Sequence, residues 1–371
     1  MVMLLTLSTV LVAFVATWVL MPAVIELCIR RGWVVHPGGR RTHEGIKPTI
    51  GGIAIYAGFV VAVLVAWGMG FWVPELHRGE RDELRFALLL VGGTLTFVVM
   101  WIDDVAELHW LPKFVANVLA GAISVGPFVW DHQLYPDALG ALTEPRGIVF
   151  MGFNMPFVSY VDFYALSPWL AIVVTVFWIG LMINTVNWMD GVDGIAGGVS
   201  MIAALMLGIH ALRLEPAQYT VAVVPLALAG ATAGFLVFNF PPAKVFMGDA
   251  GAEFIGYVLG VSAIIGGAKF ATVLLVLGVW ILDVAWLIVS RMLAGKSPTT
   301  SGRDHLHQRL TDAGHNPRAI ALYFYAISVI FGILGIADIG TTGKLIALGL
   351  LLVVGMVTIV YAMRIPKRNL M

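Results

Sequence analysis

The segment NTVNWMDGVDG, residues 184–194, follows directly on the apolar run PWLAIVVTVFWIGLMI. It places two amides and two carboxylates where a chain leaves a membrane, and polar groups are expensive there. Asn184, Asn187 and Asp190 recur every three residues, so a continuing helix presents them on one face. Asp193 continues the spacing, and Gly191 and Gly194 favour a turn with close backbone approach. Amides donate hydrogen bonds to phosphate or sugar hydroxyls, while carboxylates hold a cation. Helix capping explains one or two such residues, not four. A second cluster, DDVAEL, closes another apolar run with Asp103 and Asp104, and Glu107 follows Asp103 by one helical turn. Adjacent carboxylates repel and become tolerable when a cation sits near them. In FMGDAG, Asp249 lies between two glycines at the start of a span. Just before it, FNFPPAKV offers Asn239, a cap or a substrate contact, and Lys244, a phosphate-positioning or membrane-surface base. Finally GRDHLHQRL carries His305, His307 and Arg309. Arginine grips phosphate in a fork and histidine can donate to it, so these types suit a diphosphate. Alternating histidines could also bind zinc, but no cysteine lies nearby and the carboxylates elsewhere favour a hard cation.

Together these residues describe a Mg²⁺-type site, in which one or two carboxylates share the ion with substrate phosphates and water. Such sites suit phosphoryl transfer, where catalysis is mostly positioning and charge neutralisation. A site at the membrane boundary implies a soluble phosphate donor and a lipid acceptor.

The elements that must position them are membrane spans. Apolar residues make up 60% of the 371 and charged residues 12%, about half the quarter usual in soluble domains. The fold class expected is an all-α polytopic membrane protein, one integral membrane domain over 1–371. About eleven spans are predicted, at 3–27, 50–70, 86–102, 114–129, 169–183, 195–212, 220–238, 254–265, 270–289, 319–337 and 345–362. The amino-terminal run has no basic leader and exceeds a signal-peptide core, so it is read as the first permanent span. The single Cys28 excludes an internal disulfide, and zero net charge gives no general attraction to nucleic acid.

Assigning loops alternately puts fifteen of the 22 lysines and arginines on one side and seven on the other, which makes the first side cytoplasmic. The amino terminus is then outside, and every acid and histidine cluster falls on the cytoplasmic face. The break at GGAK, residues 266–269, keeps the histidine-containing loop at 291–318 on that side. The outer insertion at 130–168 reads as a small extracellular β-hairpin. Two other classes compete. A transporter distributes polar residues near the bilayer midplane or on both sides, whereas here they gather at one interface and the only clear mid-span acid is Asp283; a CDP-dependent phosphatidyl transferase concentrates its acids in one compact cluster on fewer helices.

Taken in order, DDVAEL, NTVNWMDGVDG, FNFPPAKVFMGDAG and DHLHQRL resemble the motifs of the polyprenyl-phosphate N-acetylhexosamine-1-phosphate transferases, glycosyltransferase family 4. KPTIGGIAIY is similar to that family's segment at the second span, and the resemblance covers residues 37–318. It implies transfer of a sugar 1-phosphate from a UDP-N-acetylhexosamine to undecaprenyl (polyprenyl) phosphate, with release of UMP and need of Mg²⁺ or Mn²⁺. It also implies a plasma (inner) membrane location, and many members are homodimers. Glu107 and Leu108 after the acid pair, and HLHQR rather than three histidines, resemble the UDP-GlcNAc branch more than the phospho-MurNAc-pentapeptide branch. Gln308 stands where the GlcNAc branch usually carries a third histidine. The resemblance makes Asp249 a metal ligand and sets Asp103 and Asp104 near the metal and the lipid phosphate, with Asp103 the candidate for its deprotonation. It assigns Asn187, Asp190 and Asp193 to nucleotide and metal, His305, His307 and Arg309 to the diphosphate, and Lys113 to uracil or phosphate.

Overall fold

The computed structural model describes residues 1–36, 45–130, 132–137, 140–155, 159–266, 270–295 and 304–365. Among them are thirteen helices. These are α1 (Val2–Arg31), α2 (Gly52–Met69), α3 (Glu80–Ala106), α4 (Trp110–Val125), α5 (Phe163–Leu166), α6 (Pro168–Met189), α7 (Ile195–Leu212), α8 (Tyr219–Asn239), α9 (Gly248–Ile265), α10 (Phe270–Leu293), α11 (Leu306–Asp312), α12 (Pro317–Ile336) and α13 (Gly340–Arg364). Ten are long and apolar enough to cross a bilayer, and α4 is a shorter apolar helix of 16 residues. With α4 they correspond one for one to the eleven expected spans. In hydrocarbon each backbone N–H and C=O must find an internal partner, and long helices satisfy that demand. The chain is a multi-pass, all-α membrane protein.

Several helices extend past their predicted spans, among them α3, whose last turn takes in Asp103 and Asp104, and two further extensions carry polar residues of the site. α6 continues to Met189 and so includes Asn184 and Asn187 as helical residues. α9 begins at Gly248, six residues before the expected 254, because a polar first turn is capped from outside. α9 and α10 are separate helices; of the GGAK break between them, residues 267–269 lie outside the described residues.

The bundle is organised around α9. Its most apolar window is 83% enclosed, against 22% for α1, so α9 is central and α1 peripheral. Glycines permit this. A Cβ on Gly256 would lie 2.6 Å from both Ile183 Cα and Met182 O of α6. A Cβ on Gly251 would lie 2.8 Å from Gly52 Cα of α2. Close backbone approach through small residues is the usual basis of helix association in membranes.

Strands are minor. β1 (Val34–Val35) pairs antiparallel with β2 (Lys47–Pro48). In the segment between α4 and α6, β3 (His132–Asp137) pairs with β4 (Gly140–Pro145), and β5 (Gly152–Met155) with β6 (Ser159–Asp162). The insertion therefore holds two hairpins where one was expected.

The α6–α9 contact is backbone on backbone and has no flexible atom to yield. Gly256→Ala should therefore destabilise the protein by about 1–3 kcal/mol, the cost of overpacking. The measurement is the thermal midpoint of the detergent-solubilised protein. Gly349→Ala, where an added Cβ meets nothing within 4 Å, should leave that midpoint unchanged; equal behaviour of the two variants would refute the packing argument.

Candidate active site

The polar clusters meet at one end of the bundle, through joints that can be followed bond by bond. α3 ends in Asp103 and Asp104, which face different ways. Asp104 Oδ1 accepts the Asp249 N–H at 2.9 Å and its Oδ2 accepts the Ala250 N–H at 3.1 Å. Its carboxylate thereby caps the first turn of α9, where the leading N–H groups have no partner within the helix. Gly248 makes the approach feasible: its φ is +76°, and a Cβ there would lie 2.6 Å from Asp104 Oδ2 and 2.5 Å from Thr49 O. Asp103, buried, accepts the Leu108 N–H at 2.8 Å through Oδ1 and Lys113 Nζ at 2.8 Å through Oδ2. Glu107, at φ 50°, closes that turn by donating its N–H to Asp103 O.

Lys113 Nζ also lies 3.7 Å from Asp249 Oδ2, so it stands between the acid pair and the first turn of α9. Asp249 is 42% exposed at its side chain, which leaves its carboxylate accessible. One turn deeper, Glu253 is buried and receives Asn117 Nδ2 at 3.0 Å and Asn187 Nδ2 at 3.4 Å. Sequence reasoning missed Glu253 and Asn117. A signal was available: Glu253 follows Asp249, and Asn117 follows Lys113, by four residues, the spacing of one helix face.

Asp190 is the C-cap residue of α6. Burial, reinforced by the carboxylates of Asp249, Asp193 and Asp104, pushes its carboxyl up to about 7. Asp193 Oδ2 accepts the Ala243 N–H at 2.8 Å, fastening the DG turn to the loop before α9. Asn239 is committed to the framework: it accepts the Gly194 N–H and donates to Val245 O, both at 2.9 Å. Asn184 donates to Gly180 O of its own helix at 2.8 Å, and the structure gives it no bond to the acid cluster. Lys244 is exposed, with its backbone N–H on Phe238 O at 2.7 Å. Lys47 reaches the same loop, Nζ to Ala243 O at 2.6 Å, which ties the KPTIGG segment to the site.

The DHLHQRL segment folds as the short helix α11 against this end. Asp283 accepts the Leu306 N–H at 3.0 Å and contacts His305 Nδ1 at 2.9 Å. The acid singled out in mid-span thus holds the histidine turn. His305 and His307 lie parallel, ring centroids 5.8 Å apart. His307 is fully buried beside Trp280, and a Cβ on Gly191 would overlap its Nε2. Contact between Gly191 and His307 joins the DG turn to α11. Gln308 lies at the same junction, 3.1 Å from that Cβ position, with its Oε1 enclosed and without a partner among the described residues. Arg309 is held by Asp304, Nε to O at 2.9 Å and Nη2 to Oδ1 at 3.7 Å.

The arrangement brings together Asp103, Asp104, Lys113, Asn187, Asp190, Asp193 and Asp249, with His305 at the N-cap of the adjoining α11 and His307 and Arg309 on it. An open acidic surface of this kind, rimmed by bases, can handle phosphates and a hard cation. Comparison with known proteins agrees. Glycosyl transferase family 4, as a family, matches residues 86–267. The chain is 33% identical over 322 residues to the decaprenyl-phosphate N-acetylglucosaminephosphotransferase of Mycolicibacterium smegmatis, covering 81% of this chain and 73% of the relative. It is 29% identical to the probable undecaprenyl-phosphate N-acetylglucosaminyl 1-phosphate transferase of Bacillus subtilis, covering 87% and 82%. To the phospho-N-acetylmuramoyl-pentapeptide-transferase of Desulforudis audaxviator it is 31% identical, covering 90% and 97%. Shared motifs, an eleven-helix frame and relatives matched over most of their length make this chain a member of the polyprenyl-phosphate N-acetylhexosamine-1-phosphate transferases of glycosyl transferase family 4.

Proposed function

We propose that this phosphosugar transferase moves an N-acetylhexosamine 1-phosphate, with GlcNAc 1-phosphate preferred, from a UDP-sugar to undecaprenyl or another polyprenyl phosphate, releasing UMP. The reaction is the first membrane step of a cell-wall or surface polysaccharide. It takes place at the cytoplasmic face of the plasma membrane, with the amino terminus outside. The observation that carries this reading is the Asp104–α9 joint. It sets the accessible Asp249 carboxylate beside Lys113 and Asp103 at a membrane boundary.

Mg²⁺ fits this donor set. Among the described residues no three His, Cys, Asp or Glu side chains form a closed metal cage, and Mg²⁺ does not require one, because it usually keeps waters and substrate phosphates. Asp249, Asp193 and the Asn187 amide would hold it, all hard oxygen donors. The charge on Asp190 is opposed by three neighbouring carboxylates, a surplus of negative charge that a cation relieves. Bound there, Mg²⁺ supplies neutralisation of the donor diphosphate.

The chain's own residues account for positioning. Lys113 offers an ammonium between Asp103 and Asp249, where a phosphate oxygen can take up its remaining hydrogen-bonding capacity. His305 is oriented by Asp283 and Arg309 by Asp304, so both present fixed donors to the diphosphate. Asp103 has both oxygens engaged, which supports an orienting role over proton abstraction. The acceptor hardly needs a base: a phosphomonoester's second pKa is about 6, so much of it is already dianionic at neutral pH. Direct in-line attack on the donor's β-phosphorus follows, with UMP as the leaving group.

Three measurements test this. UMP release from UDP-GlcNAc and polyprenyl phosphate should stop in EDTA and return with Mg²⁺ or Mn²⁺, and Asp249→Asn should lower turnover by about 100-fold or more, the scale of removing a charge-stabilising group; full turnover in EDTA refutes the metal assignment. Asp103→Asn should keep substantial activity at high pH, and an enzyme dead at every pH that still binds both substrates would instead make Asp103 the base. With a panel of donors, UDP-GlcNAc should outpace UDP-MurNAc-pentapeptide; the reverse order would move the chain to the other branch.

A further inference from the structure

The end of the bundle opposite the acidic site contains a cavity of about 1060 Å³. It is framed by the start of α3, the start of α8, the junction of α9 and α10, the start of α13, and residues 148–153 of the insertion between α4 and α6. Its mouth carries Arg81, Arg85 and Lys344, with Glu75 and Asp82 among them. A small adjoining chamber shares Asp82, Arg85, Thr220, Val221 and Ile265 with it and adds Arg78. The two chambers therefore hold four cationic side chains against two carboxylates. Arg78 is only 6% exposed, lies with its guanidinium carbon 4.4 Å from the Phe86 ring centroid, and has Nη1 enclosed without a partner among the described residues. A buried guanidinium with an unused donor is costly unless an acceptor arrives. Burial pushes its pKa down, and the Glu83 and Asp82 charges offset this in part.

Beside polar His77, Gln218 and Tyr219, the lining includes an apolar wall of Phe150, Trp178, Ile264, Phe270, Leu274 and Leu348, in which the Phe150 and Trp178 rings pack on Phe270. On α13 the lining runs from Thr341 to Leu348, a descent of about 10 Å at the helical rise. A free anion would gain nothing from such a wall. A molecule with a phosphate at one end and hydrocarbon at the other would satisfy both parts, as basic pockets between membrane helices do for anionic headgroups.

We infer that this cavity is a binding site for an anionic phospholipid of the leaflet opposite the active site, its phosphate at the Arg78, Arg81 and Lys344 end and its acyl chains along the Phe270, Leu274 and Leu348 wall. The site is remote from the acid cluster and takes no part in the transfer chemistry. It occupies the other ends of α3 and α9, the two helices that carry Asp103, Asp104 and Asp249.

Native mass spectrometry of the full chain purified in detergent tests this with phosphatidylglycerol, phosphatidylcholine of the same acyl chains, and inorganic phosphate as probes. One phosphatidylglycerol per chain should be retained at least tenfold better than phosphatidylcholine. Arg78→Gln should lower that retention about tenfold and Lys344→Gln at least threefold. Lys344 lies at the partly exposed rim, so its variant decides the matter if Arg78→Gln does not fold. Leu348→Trp, which crowds the apolar wall and spares the basic mouth, should also expel the lipid. Equal retention of phosphatidylcholine, retention unchanged in Lys344→Gln or in Leu348→Trp, or displacement of the lipid by millimolar inorganic phosphate would each overturn the assignment.

Discussion

The site depends on one carboxylate serving another helix. α9 starts inside the protein at the membrane boundary, where its first N–H groups have neither a helical partner nor free access to water. Asp104, at the end of α3, accepts two of them. A charged acceptor on an N–H is worth about 1.5–3 kcal/mol, and the negative charge also suits the positive end of the helix dipole. This joint determines where α9 begins and puts Asp249 next to Asp103 and Lys113. The paired acids and the Gly-Asp motif are two halves of one contact: Gly248 must lack a Cβ because the Asp104 carboxylate and Thr49 O occupy its place.

The same device recurs. Asp283 accepts the Leu306 N–H at the start of α11 and holds His305 in the same grip. An acid within a membrane helix invites reading as part of an ion path, yet here both oxygens are engaged in building the histidine turn. Carboxylates at this end therefore divide by role. Asp104, Asp283 and Asp304 fasten helices or orient bases, whereas Asp249 keeps an accessible carboxylate and Asp190 is buried among three other carboxylates. Counting acids in the sequence overstates how many remain for a cation.

The spans were legible because hydrocarbon permits so few backbone arrangements. Every predicted apolar run became a helix, including the division between α9 and α10. Boundaries at the polar end were not legible. A span drawn by hydropathy started α9 at 254, just past Glu253, although an outside cap allows the helix to begin at Gly248. Glu253 was hidden by that boundary and Asn117 by its apolar surroundings. Among the singled-out residues, clustering was legible and occupation was not: nothing in FNFPP distinguishes an Asn239 facing substrate from one whose two amide atoms are both taken by backbone. The insertion between α4 and α6 read as one hairpin and contains two among the described residues, since its strands are short and its turns carry no strong register signal.

The missed pair explains how the deeper floor of the site is held. Lys113 and Asn117 lie one turn apart on α4, as do Asp249 and Glu253 on α9, so the two helices present matched tiers. In the upper tier Lys113 meets Asp103 and Asp249. In the lower tier Glu253, removed from water, needs donors, and the amides of Asn117 and Asn187 supply them. Asn187 therefore joins the two tiers: its amide nitrogen carries two N–H groups, one directed at Glu253 in the lower tier, and the same side chain also hydrogen-bonds Asp249 in the upper tier. Glu253 thus orients an amide at the base of the acid cluster from a position that no substrate need touch.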